Sequence, residues 1–305
     1  MRLFRSSVVV AFLLAIPGAG RATAQQTSPI FNNTTSVTPS GLGAFARASD
    51  TAMGSPKAFG DLAPAAWNTW APIATSTTTP QKTISWKQLP WNILRDEKGI
   101  WLFPLQVGRG EHLFPTVSIV GVTAGLIVAD KYDTPYFVHT TDFHGFSQIF
   151  SGTATGAAIA IVPASFYIVG LIRKDSYAEQ TALLAGEAYA ASAIPHVAIK
   201  LVTRRFRPLD VPPNQFGDTF FRSHVSIFGK GSSFPSGHAT GAFSVATVIA
   251  ERYRNHRWVP WVAYGAAGLI SFSRIPAREH FPSEVFFGAA LGYAITRYDV
   301  MRGVN

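Results

Sequence analysis

The chain has 305 residues, 47% of them hydrophobic and only 14% charged, a shortage of charge that points to helices kept away from water. A formal net charge of +9 suits an anionic partner, either phosphate or lipid, whereas the hydrophobic content argues against nucleic acid. With no cysteine in the chain, disulfides, thiolate chemistry and cysteine-bound zinc are excluded.

Residues 1–24 read as an export signal: a basic start from Met1 to Arg5, an apolar core at 8–16 and a small-residue cleavage site at Ala22-Thr23-Ala24. Residues 25–85 are rich in Thr, Ser, Pro, Ala and Gly and read as a flexible linker. In 86–112, Trp86, Trp91 and Trp101 surround the charged run Arg95-Asp96-Glu97-Lys98, which marks a segment lying at a membrane interface or packing as an arm. The remaining domain, 113–300, contains six apolar helical stretches at 113–129, 146–172, 181–202, 236–250, 258–273 and 285–296. Of these, only 146–172 is uncharged over a full bilayer span of about 20 residues. Strand-like alternation is not evident, so the predicted fold is an all-α bundle of about six helices embedded in a membrane.

Three short segments carry the chemistry. In the first, Lys200, Arg204 and Arg207 stand at i, i+4 and i+7, so one helical face would carry all three before Pro208 ends the helix. Arg204 and Arg205 are better read as a solvated basic turn or a membrane-surface anchor. The second segment, Pro235-Ser236-Gly237-His238, opens an apolar helix, whose N-terminal amides and dipole form an anion site that glycine lets a ligand approach. In the third, Ser273 and Arg274 precede His280, and a helix beginning near Pro282 brings Glu284 back beside the imidazole. That carboxylate would orient one ring nitrogen and leave the other free to attack.

Lysine, six residues, Arg-Pro; Pro-Ser-Gly-His; and Ser-Arg, five residues, His, three residues, acid: this order resembles the signature of the type 2 phosphatidic acid phosphatase and vanadium haloperoxidase superfamily. The likeness covers about the C-terminal half, and the departure is Glu284, where the family pattern has aspartate. The resemblance implies a metal-independent phosphatase acting on a phosphomonoester or pyrophosphate, most naturally on a lipid. Lys200, Arg207 and Arg274 would neutralise the phosphate oxygens, with Ser236 and the Gly237 amide donating to them. His280 would form a phosphohistidine, and His238 would protonate the leaving alkoxide and then activate water. An exported nonspecific acid phosphatase and a vanadate-dependent haloperoxidase are the alternatives. No cofactor is expected except vanadate under the last of these.

Other polar residues are weighed against that frame. His139, Asp142 and His144 fall in a predicted loop, 130–145, without zinc-type spacing, so no metal is expected. Arg222, His224 and Lys230 are candidates for substrate recognition or simple surface residues. His196, one turn before Lys200, reads as a buried structural histidine, and Glu187 should find a partner within the bundle. The partners expected are a phosphorylated lipid or small phosphate ester and the surrounding membrane lipids. The expected location is the cell envelope, with the site on the extracytoplasmic side.

Overall fold

A computed structural model describes residues 82, 84–150, 153–212, 215–224 and 231–304. The predicted signal, nearly all of the predicted linker and Lys230 lie outside the described residues. Among those described, every regular element is helical. In chain order they are α1 (Leu89–Gly108), α2 (Leu113–His139), α3 (His144–Phe150), α4 (Thr153–Arg173), α5 (Ser176–Thr203), α6 (Gly237–Arg252), α7 (Trp258–Phe272) and α8 (Pro282–Ile295). A 3-10 turn at Pro208–Asp210 follows α5, and a π-helical turn at Thr296–Val300 extends α8.

Two boundaries differ from the sequence expectation for a local reason. The first apolar stretch does not stop at 129: α2 continues to His139, because Asp130 is buried and paired and so does not interrupt the helix. The expected loop 130–145 therefore shrinks to residues 140–143. The expected helix 146–172 corresponds to α3 and α4, and residues 151–152 between them lie outside the described residues. At α5 the helix begins earlier than expected, at Ser176, because the Asp175 side chain accepts from the Tyr177 and Ala178 amides and caps it.

The centre of the bundle is α6, which packs against α5, α7 and α8, while α2 leans on α8 and α1 on α5. Small residues make this possible. A Cβ added at Gly292 of α8 would lie 2.2 Å from the Thr240 carbonyl oxygen, and one at Gly288 would lie 2.6 Å from that of Ser236. The two helix backbones thus touch where side chains would ordinarily separate them, as small residues allow in membrane helices.

The outer surface is apolar. Trp91 of α1, Phe114 of α2, Ile172 of α4 and Trp261 of α7 are each at least two-thirds exposed, the last at 82%. Leu113–His139, Thr155–Arg173 and Ser176–Asp210 are long and apolar enough to cross a bilayer. With its apolar side chains outward, this is the surface of an integral membrane protein.

The charged run in α1 is turned the other way. Asp96 and Glu97 are buried, and Lys82 Nζ lies 2.9 Å from Asp96 Oδ2, also pairs with Glu187 and donates to the Val300 carbonyl at 2.8 Å. Glu187 accordingly finds its partner inside the bundle. The aromatic residues of α1 face outward and its acids face inward, so this segment packs as a wall of the bundle.

Candidate functional site

The C-terminal end of α5, the N-terminal ends of α6 and α8 and the loop after α7 meet at one end of the bundle. Lys200 sits in the last turn of α5. Arg204 then takes a left-handed backbone, φ 41°, its amide donating to the Lys200 carbonyl, and the helix stops. Pro208 is therefore not what ends it. Arg207 lies beyond the helix on extended backbone, so the single helical face expected for Lys200, Arg204 and Arg207 does not form. Instead the Arg204 guanidinium donates to the Phe221 carbonyl at 2.9 Å, and Lys200 and Arg207 approach each other from different elements.

Arg205 overturns its reading as a surface residue. It is fully buried, donating to Asp130 Oδ2 at 2.8 Å, to Ser283 Oγ at 2.9 Å and to Thr219 Oγ1 at 2.9 Å, with Glu284 Oε1 at 3.3 Å. The rings of Phe281 and Phe220 lie against the guanidinium, their centroids 3.9 and 4.6 Å away. A buried cation requires such compensation on every side.

Ser236 caps α6, its amide donating to the Glu284 carbonyl at 3.1 Å. Its hydroxyl is completely buried and has no hydrogen-bond partner among the described residues, a costly state for a polar group unless a ligand completes it. Next to it, a Cβ on Gly237 would stand 3.2 Å from Nε2 of His196. His196 thus lies directly against the glycine of the cradle, a place that spacing alone had not assigned it. His238 is held from the other side by α4, where a Cβ on Gly156 would come within 3.1 Å of its Nε2.

His280 and Glu284 pair as expected, Nδ1 to Oε2 at 2.9 Å. As the third residue of α8, Glu284 also accepts from the Phe281 amide at 3.2 Å and, through Oε1, from Ser233 Oγ at 2.6 Å. The longer acid keeps its orienting geometry because Arg205, Ser233 and this amide hold it. Around the pair, the charges of Lys200, Arg207 and Arg274 all act on His280, and the same three cations act on His238.

Burial, followed by the charges of Arg207, Arg274 and Lys200, holds the His280 imidazole well below its ordinary pKa, so it is neutral at physiological pH and available as a nucleophile. An anion that neutralises those cations must shift its titration upward. The His280 Cε1–H resonance should titrate well below pH ~6.5 in the free protein and move up when orthovanadate is added. A midpoint at the ordinary histidine value in both states would contradict this electrostatic picture.

Of the remaining candidates, Arg222 forms an exposed pair with Asp218, and His224 is also exposed. His139 bonds through Nδ1 to the Pro135 carbonyl at 2.6 Å. The residues missed by sequence reasoning are Asp130, Ser233 and Glu279. Asp130 could have been flagged as an acid at the edge of an apolar run, which demands a cation partner. Ser233 and Glu279 offer no such signal. Glu279 pairs with Arg207 and lies 4.0 Å from Arg274.

Residues 181–300 match the PAP2 superfamily. That stretch contains Lys200, Arg207, Ser236, Gly237, His238, Arg274, His280 and Glu284, all brought to one place by the fold. Among solved structures, the chain is similar to the first transmembrane PAP2 type phosphatidylglycerolphosphate phosphatase from Bacillus subtilis, at 20% identity and a TM-score of 0.38, over 59% of this chain and 92% of that one. The comparison with curated proteins finds no match. Within the matched stretch the motif cations come from three different elements: α5, the extended segment after it and the loop before α8.

Proposed function

We propose that this protein is a phosphatase hydrolysing a phosphomonoester or pyrophosphate carried on a membrane lipid. The observation that carries the reading is the buried Ser236 hydroxyl at the N-terminus of α6, without a partner among the described residues, two positions before His238, on which the charges of Lys200, Arg207 and Arg274 all act. A tetrahedral anion would supply the Ser236 hydroxyl with an acceptor and bring further negative charge to the three cations. The PAP2 match and the apolar surface beside the site support a lipid phosphate as the substrate.

In this mechanism the three cations and the Gly237 amide bind the equatorial oxygens, where charge accumulates as the bond to the leaving oxygen breaks. His280, its Nδ1 held by Glu284, attacks phosphorus through its other nitrogen while His238 gives a proton to the departing alkoxide. His238 then takes a proton from water, which attacks the phosphohistidine and releases phosphate. No metal is needed for these steps.

The test is a phosphate-release assay with purified protein in detergent against phosphatidate, phosphatidylglycerol phosphate, polyprenyl pyrophosphate and a small aryl phosphate. Turnover of at least one lipid phosphate well above the aryl phosphate is expected. Equal or better turnover of the aryl phosphate would replace the lipid assignment by a nonspecific phosphatase. Bromide oxidation requiring added vanadate, with no phosphate released from any substrate, would replace it by a haloperoxidase.

A further inference from the structure

The cradle already contains a carboxylate of its own. Glu279 immediately precedes His280, yet it points away from the His280–Glu284 pair and toward the cations, pairing with Arg207 and lying 4.0 Å from Arg274 Nη2. Its side chain is 30% exposed, whereas those of Arg207 and Arg274 are 15% and 7% exposed, so the acid approaches the arginines from the open side. The backbone sets this direction. Arg278 is left-handed, φ 59°, with its side chain bonded to the Val138 carbonyl and its own carbonyl accepting from the Leu209 amide. A non-glycine residue in that conformation is strained, and here it turns Glu279 over the site. Glu279 also lines a cavity of about 500 Å³ together with Thr140, Thr141, His144 and Gln148, polar groups that can receive a displaced carboxylate.

We propose that Glu279 is a built-in competitor for the phosphate cradle: it neutralises Arg207 and Arg274 in the free protein and must be displaced into the neighbouring cavity before a phosphoryl group binds. The inference rests on the phosphate-binding reading of those two arginines. Two effects follow from electrostatics. Substrate phosphate gives up part of its binding energy to break the Glu279 pairs, and the displaced carboxylate still repels the bound dianion across a few ångströms. Glu279 therefore weakens anion binding, and with it retention of the phosphate product.

The experiment is calorimetric titration of the purified full chain in detergent with orthovanadate and, separately, inorganic phosphate. Glu279→Gln is close to isosteric at a partly exposed site, so the fold is preserved. Because a partly exposed ion pair is worth up to about 1 kcal/mol, the variant should bind both anions up to about fivefold more tightly, and the gain should shrink in high salt. Unchanged or weaker binding would overturn the proposal, the latter showing that Glu279 instead holds the arginines in place. Arg274→Ala separates the two readings. It should lose anion binding in either background, and if it binds as the parent does, the cradle itself is misassigned and the role of Glu279 falls with it.

Discussion

Replacing His280 by alanine is expected to abolish phosphate release, by about 10⁴-fold or more, while leaving the helical bundle intact. The loss follows because no other described imidazole has the same support: only His280 is aligned by a carboxylate, through the 2.9 Å contact to Glu284. The fold should survive because Glu284 keeps other partners when the ring is removed. The Ser233 hydroxyl, the Phe281 amide and the Arg205 guanidinium still surround it, so no buried charge is stranded. Phosphate release, helical circular dichroism and orthovanadate binding should be measured together, and vanadate should still bind because Lys200, Arg207 and Arg274 remain. Turnover within tenfold of the parent would remove His280 from the nucleophile's role.

Gly292→Ala should be the most damaging conservative change to stability. The new methyl group would lie 2.2 Å from the Thr240 carbonyl oxygen and 3.0 Å from Ser244 Oγ, and a backbone atom cannot rotate out of the way. The cost should be about 3 kcal/mol or more, at the upper end of overpacking penalties. Since α6 carries Ser236 and His238 and α8 carries Glu284, separating these helices also opens the site. Gly265→Ala in α7 is the matched control, because nothing stands within 4 Å of its added Cβ and alanine favours a helix by about 1 kcal/mol over glycine. Thermal unfolding in detergent should show a large fall for the first and little change or a gain for the second. Equal melting temperatures would mean that α6 and α8 are not in backbone contact.

The three motifs were legible because their chemistry is written in residue types whose spacing survives any rotation of the helices carrying them. Lys200, Ser236, His238, Arg274, His280 and Glu284 lie at one end of the bundle even though several helix boundaries moved. What spacing could not convey was direction. Arg205 and Arg207 are both arginines beside the same helix end, yet the first is sealed among Asp130, Glu284 and two phenyl rings and the second pairs with the partly exposed Glu279. The left-handed turn at Arg204 makes that difference, and a non-glycine residue does not announce such a turn. Likewise, Asp96 and Glu97 in a tryptophan-rich segment suggested acids at the water's edge, but lipid outside and Lys82 within invert the usual amphipathic order.

The inward lysine has a practical corollary for anyone shortening the protein. Lys82 is joined to the far end of the chain, through its amide to the Gly303 carbonyl and through its ammonium to that of Val300, while neutralising Asp96 and Glu187. A version trimmed to the first residue of α1 would keep every helix and every motif, yet it would seal two acids in the interior with their cation gone. The shortest self-sufficient polypeptide accordingly starts at residue 82 or earlier and retains its last few residues.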